Sequence, residues 1–342
     1  MDKRSASVGA GHGFRKSISV RLLIGLICLT AGAWILGLAI IERLPSALTA
    51  EKTGEQIAGE PGFPALGGHY SAERIDHYRL RQGEEVSFPL DAVSYRAADG
   101  ERRRAVLYPG LNAEAVETGP DALFSRRELW ANAMEALNRH AEANALFLTW
   151  WDNAQRIDWF TGRAAWAGAP IATAFAARSE RKLWAELAGP FAGDETRLRQ
   201  LARWLTMNAH DALAEMAATL PAATPVYFLV CLDDLARLAE IERLAGKKPA
   251  IEAAQFPRAG DIHAQIAEVK RWAQEKGSGS YLIQNTPGSG IRAWRIENAE
   301  TGETLLAKLL PFTGSLENPL AELETVYQSP QASYLTVFRW NR

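Results

Sequence analysis

The side chains best suited to chemistry fall in one run, LFLTWWDNAQRIDWFTGR, residues 146–163. It carries two adjacent indoles, Trp150 and Trp151, then Asp152, Gln155, Arg156, Trp159 and Arg163. In a catalytic reading Asp152 is the working carboxylate, reaching a substrate or metal, with Gln155 and Arg156 orienting an acceptor or an anion. In a binding reading the same seven residues form a docking edge, because Trp and Arg dominate interface energetics. A third reading is purely structural: the indoles fill core, and Asp152 or Asn153 caps a helix by accepting a first-turn N–H. Exposed indoles would favour docking; buried ones would favour the scaffold.

The rest of the chain adds little chemistry. Asp233 and Asp234 are adjacent, and neighbours on a helix diverge by about 100°, so a helix cap with a first-turn acid explains them better than a shared metal ion. The six histidines (His12, His69, His77, His140, His210, His263) show no HxxxH or HxH spacing, and a zinc site is not expected. Cys28 and Cys231 are the only cysteines. There is no CxxC or CxxCH, hence no c-type haem attachment, and Cys231, inside an apolar run, reads as an inert thiol. No GxSxG elbow, P-loop or dinucleotide fingerprint is present. No cofactor, metal or catalytic set is expected.

The elements that must position the run follow from its flanks. Residues 146–149 are apolar and suit a buried strand; residues 153–161 suit a helix, with Gly162 as its stop. The spacing Ser125-Arg126-Arg127-Glu128 is that of a capping box, and Leu129, Ala133, Ala136 and Leu137 give the helix behind it an apolar face. Residues 225–232 (PVYFLVCL) form the clearest buried strand and again lead into acids and a helix. Two such units imply neighbouring parallel strands joined by a right-handed crossover. Between them residues 163–220 read as helical, broken at Gly189-Pro190 and Gly193. Upstream, residues 84–108 read as a hairpin turning at 97–100, with the charges of Glu101–Arg104 solvated beyond its tip. Downstream come a helix at 261–276 and strands at 280–284, 291–297, 304–310 and 334–340.

The N-terminus sets the location. Residues 1–21 are basic, and Leu22–Ile41 carries no charge; at about 1.5 Å per residue, twenty residues cross a hydrocarbon core of about 30 Å. The expected organisation is a cytoplasmic tail (1–21), a single transmembrane helix (22–41), a tether (42–68) and a periplasmic domain (69–342), in which 277–342 can be read as a β-rich subdomain. That places the chain in the inner membrane with its main domain in the periplasm. The fold class is α/β, with a short parallel core and antiparallel hairpins at both ends. A formal net charge of −2 argues against nucleic acid as a partner, since phosphate binding needs a basic surface.

Two resemblances follow from these residues. WWDNA at 150–154, with the later YFLV strand and the closing LETVYQSP…YLTVFRW, resembles the WWDYG-bearing extracytoplasmic domain of the oligosaccharyltransferase catalytic subunit. In that family the WWD face recognises the hydroxyl residue of an acceptor peptide, which implies a recognition role for Trp150, Trp151 and Asp152. Asn153 and Ala154 depart from the signature, and the family's multi-span catalytic domain has no counterpart beside one apolar stretch. Over the whole chain, the single span followed by ALFLTWWDNAQRIDWFTGR and PVYFLV resembles the hydroxylamine oxidation protein HaoB of ammonia- and methane-oxidising bacteria. That resemblance implies a membrane-tethered periplasmic accessory of the multihaem hydroxylamine oxidoreductase. The leading expectation is therefore a binding protein that docks this oxidoreductase. The competing one is a divergent transferase-like or oxidoreductase enzyme using the WWD site.

Overall fold

Half-buried and exposed side chains begin to alternate at Leu48, where the first strand starts. The computed structural model describes residues 48–64, 66–82, 86–107, 126–257, 261–286, 290–330 and 334–342. The expected basic tail and membrane-spanning stretch lie outside these residues. Among the described residues no helix is long and apolar enough to cross a membrane.

Strands β1 (Leu48–Ile57), β2 (Ala72–Gln82), β3 (Val86–Arg96) and β4 (Arg102–Leu107) make an antiparallel sheet in sequence order. The β3–β4 hairpin falls where the sequence puts it, and Gly100 takes the left-handed φ of 84° that its turn requires. Two readings change here. Much of the expected tether is strand β1, which has few apolar residues because it lies at the sheet edge and is held by backbone pairing and ion pairs such as Arg81–Glu51. The arginines expected beyond the hairpin tip lie on β4 and hold partners: Arg102 to Glu73 at 2.9 Å, Arg103 to Asp158 at 2.9 Å, and Arg104 to Asp76. Strand β2 is hard to see in sequence because it buries charge. Asp76 also takes Lys52 at 2.9 Å, and His77 Nδ1 meets Asp91 Oδ1 at 2.7 Å.

Helix α1 (Arg126–His140) leads to β5 (Leu146–Leu148), α2 (Trp151–Thr161) and the two-residue β6 (Ala164–Ala165). The next stretch is less helical than expected, since no α-helix occurs between β6 and α3 (Arg178–Ala188). Helices α4 (Glu195–Thr206) and α5 (Ala209–Thr219) then precede β7 (Val226–Cys231). All six residues of β7 are buried, the pattern of a strand covered on both faces. A 3-10 turn, Leu232–Arg237, opens α6 (Leu238–Ala245).

Strand β8 (Ile251–Phe256), absent from the sequence reading, pairs with β10 (Gly290–Ile296), whose other neighbour is β9 (Tyr281–Thr286). Helix α7 (Ile262–Lys276) packs Val269 and Ala273 inward beside this sheet. Residues 304–310, expected as strand, contain a helix. After the one-turn α8 (Ala299–Gly302), Thr304 accepts the Ala307 N–H and starts α9 (Leu305–Leu309). Its leucines cluster on a helical face that a period-two reading cannot separate from a buried strand. Helix α10 (Thr313–Glu317) and the hairpin β11 (Leu323–Gln328)–β12 (Leu335–Trp340) complete the chain.

The central sheet runs β11-β12-β7-β5-β6. Its β7-β5-β6 part is parallel and its β11-β12-β7 part antiparallel. The short parallel core expected from the two strand–acid–helix units is therefore present, within a mixed α/β fold that carries antiparallel sheets on either side in sequence.

Candidate functional site

The register of β5 on β7 sets Leu148 opposite Phe228. Both chains leave the sheet at the same end, so Asp152 after β5 is brought to Asp234, Arg237 and Glu240 after β7. The helix there starts earlier than expected. Trp150 is its N-cap residue, with no side-chain cap, and Asp152 lies in the first turn with its carboxylate accepting the Asn153 N–H at 3.0 Å. Gly162 ends the helix in the left-handed region, as expected, at φ 66°.

Every residue of the candidate edge is buried: Trp151 and Arg156 are 0% exposed and Trp150 and Asp152 2%. The indole N–H groups of Trp150 and Trp151 both donate to Glu240 Oε2, at 3.0 and 2.9 Å. Arg237 bridges the two units, donating to Glu240 Oε1 at 2.9 Å and to Asp152 Oδ2 at 3.2 Å. Its guanidinium also lies 4.3 Å from the Trp184 ring centre and 5.0 Å from that of Trp151. Arg156 donates to the Val106 carbonyl at 2.7 Å and to Asn153 Oδ1 at 2.6 Å, with Asp152 at 3.6 Å and the Trp130 ring centre at 4.8 Å. Asn153 in turn donates to Asp234 Oδ1 at 2.9 Å, and Asp234 Oδ2 accepts the Cys231 N–H at 2.9 Å. The expected capping role of the acidic pair thus holds for Asp234. Asp233 instead accepts from the Tyr334 hydroxyl.

The electrostatics follow from burial. Desolvation works against ionised Asp152, but Arg237 and Arg156 outweigh it and hold the carboxyl below its usual range. At Asp234 burial, and then the charge of Asp152, push the pKa up to about 8. Burial also raises Glu240, against the pull of Arg237 and the two indole donors. With Asp234 protonated at neutral pH, one negative charge fewer stands beside Asp152. An unbalanced charge at this depth would cost several kcal/mol.

The outlying candidates serve packing. Gln155 donates to the Ala188 carbonyl at 3.1 Å. The Trp159 carbonyl accepts the His69 N–H at 2.9 Å, and a Cβ on Gly68 would come within 2.6 Å of the Trp159 ring. Arg163 caps the end of α1, donating to Asn138 Oδ1 and to the carbonyls of Ala141 and Glu142 at 2.6, 2.7 and 3.0 Å. A cavity of about 10 Å³ lies beside Thr149, Trp150 and Asp234, enough for one water and too small for a peptide or a sugar. Among the described residues no group of three or more His, Cys, Asp or Glu is placed to hold a metal ion. The expected docking edge is thus an interior clamp, because the two parallel strand ends and α3 close over it. Sequence reading missed Arg237 and Glu240; the available signal was the repeated strand–acid–helix pattern, followed one turn further along the second unit.

Comparison with known proteins gives the wider context. Among solved structures, the C-terminal globular domain of an oligosaccharyltransferase from Archaeoglobus fulgidus aligns at 11% identity and a TM-score of 0.31, over 62% of this chain and 96% of that one. The C-terminal domain of C. jejuni PglB aligns at 9% identity and a TM-score of 0.36, over 61% and 98%. No curated protein matches the chain. Residues 17–340, nearly the whole length, match the family model described as HaoA-associated protein HaoB, and the chain belongs to that family.

Proposed function

We propose that this protein is an accessory factor of hydroxylamine oxidation that associates with HaoA, the multihaem oxidoreductase. In this reading residues 22–41 hold it in the inner membrane and the domain that follows lies in the periplasm. The observation that carries the proposal is the family match over residues 17–340, whose description names association with HaoA. The interior supports it. The residues best suited to chemistry are spent on holding β5, β7 and their helices together, so the functional surface lies elsewhere on the body. The charge-free stretch after a basic flank supports the orientation.

Co-purification from membranes tests the association: tagged full-length chain is expected to bring down HaoA at a fixed ratio, and its absence under mild solubilisation would refute the reading. Protease added to sealed spheroplasts tests the placement. The domain is expected to be cut along with known external proteins, and an intact domain would contradict it.

A further inference from the structure

Thr149 stands between β5 and the indole pair and takes part in none of the bonds of the clamp. It is 4% exposed, and its hydroxyl has no hydrogen-bond partner among the described residues. Buried hydroxyls are rarely left so, because burial without a partner forfeits the hydrogen bonds that solvent supplied. Packing alone does not ask for threonine here: valine is branched in the same way and carries no polar atom to bury.

Asp234 has the complementary need. Its carboxyl oxygens meet two donors, the Asn153 side-chain amide on Oδ1 and the Cys231 N–H on Oδ2, each at 2.9 Å. Two donors suit a carboxylate. The protonated carboxyl, the form favoured by burial and by the charges of Asp152 and Asp233, also has an O–H that requires an acceptor. The neighbouring cluster supplies none. Arg237 and Arg156 are donors only, and Glu240 already accepts from Arg237 and both indoles.

Thr149 and Asp234 line the same cavity of about 10 Å³. Leu201 and Leu205 of α4, Ile241 of α6, and Leu306 and Leu309 of α9 wall it. A water site needs room for one molecule and at least two polar partners. This cavity has the room, an acid on one side and a hydroxyl on the other.

We propose that one ordered water sits in this cavity, accepting the Asp234 carboxyl proton and donating to Thr149 Oγ1. It forms a further tie between the two strand–acid–helix units, beside the Arg237–Asp152 and Asn153–Asp234 bonds. Thr149 is then a positioning residue for the acceptor of that proton. Enclosed by apolar side chains, the water leaves only when the domain opens locally. The inference concerns the interior and does not depend on HaoA.

The test uses the full chain in detergent, as wild type and Thr149→Val. Valine keeps the branched shape and removes the hydroxyl, so the sign of its effect decides. If the hydroxyl holds a water, the variant loses part of a bonded network, and its melting temperature near pH 6 falls by about 2 °C or more. If the hydroxyl is unpaired, the variant sheds a buried polar group and its melting temperature rises. The second readout is the Asp234 carboxyl carbon signal in chain labelled at aspartate, followed across its titration and assigned with Asp234→Asn. The midpoint is expected to be lower in Thr149→Val by about half a pH unit or more, because the protonated form loses the group that orients its acceptor; lost packing alone would leave the midpoint in place. A crystal structure of the wild-type chain, at a resolution that shows waters, is expected to place one oxygen within hydrogen-bond distance of both Asp234 and Thr149 Oγ1. A raised melting temperature, an unmoved midpoint or a cavity without water density would each overturn the inference, and the wild-type crystal structure decides it should the variant fail to fold.

Discussion

Asp234→Asn isolates the proton that burial and the charge of Asp152 keep on this carboxyl. In the unfolded chain an aspartate titrates near 3.9, whereas burial and Asp152 raise Asp234 to about 8 in the fold. Between those values the folded state binds a proton that the unfolded state has released, so stability falls as pH rises. Each unit of pH in that window costs about 1.4 kcal/mol, and from about pH 5 to pH 8 the loss through this one group is about 4 kcal/mol. Asparagine resembles the protonated acid in shape and does not titrate. It keeps one acceptor for the Asn153 amide or the Cys231 N–H and loses the other, a cost of about 1 kcal/mol. The variant should therefore be slightly weaker than, or equal to, wild type near pH 5 and clearly more stable near pH 8, with the two curves crossing between. Denaturant titrations of the full chain in detergent, at fixed ionic strength across that range, read the difference directly. Parallel curves for the two proteins would refute the proton on Asp234.

Other perturbations of the clamp have different signatures. Asp152→Asn removes the carboxylate that Arg237 and Arg156 share and should cost about 3–5 kcal/mol, as for one partner of a buried pair, and not the fraction of a kcal/mol that swaps one good capping residue for another. Because Asp152 is held low, its contribution is present above the unfolded pKa and is lost as pH falls through the folded value; a wild-type minus variant difference that does not shrink in acid would contradict this. Trp151→Phe keeps most of the apolar volume but leaves Glu240 one donor short, and should lower stability by about 1–3 kcal/mol without changing HaoA affinity. Gly193→Ala would place a methyl 2.2 Å from the Ala169 carbonyl oxygen, and thermal melting should show a loss of about 1–3 kcal/mol. In a Cys28→Ser background, burial that raises the Cys231 thiol should leave it unreactive to maleimide until denaturant is added; labelling at the rate of a free thiol in the folded chain would contradict that placement.

The legible parts of the sequence were those in which one physical requirement dominates. Continuous apolar runs at Phe147 and across β7, bounded by turn residues, pointed to buried strands, and Gly162 pointed to a helix end. Strands that combine requirements were obscure: β1 is an edge strand with few apolar residues, and β2 buries Asp76 and His77 in ion pairs that no local pattern announces. The helix at Leu305–Leu309 and a buried strand share the same short apolar signal. At the candidate site the residue types were found but their exposure was not. Whether Trp150 and Trp151 look outward is decided by Glu240 and Arg237, nearly ninety positions downstream. The conspicuous stretch of this chain proves to be its electrostatic keystone.

The most direct measurement follows the indole N–H signals of Trp150 and Trp151 by NMR, in chain labelled at tryptophan, before and after adding HaoA. Both are expected to exchange only through unfolding of the domain, because each is buried and donates to Glu240, and neither should shift when HaoA binds. Exchange at the rate of a free indole, or a shift of these two signals on binding, would show that the WWD run is itself the contact surface and would contradict its assignment to the interior.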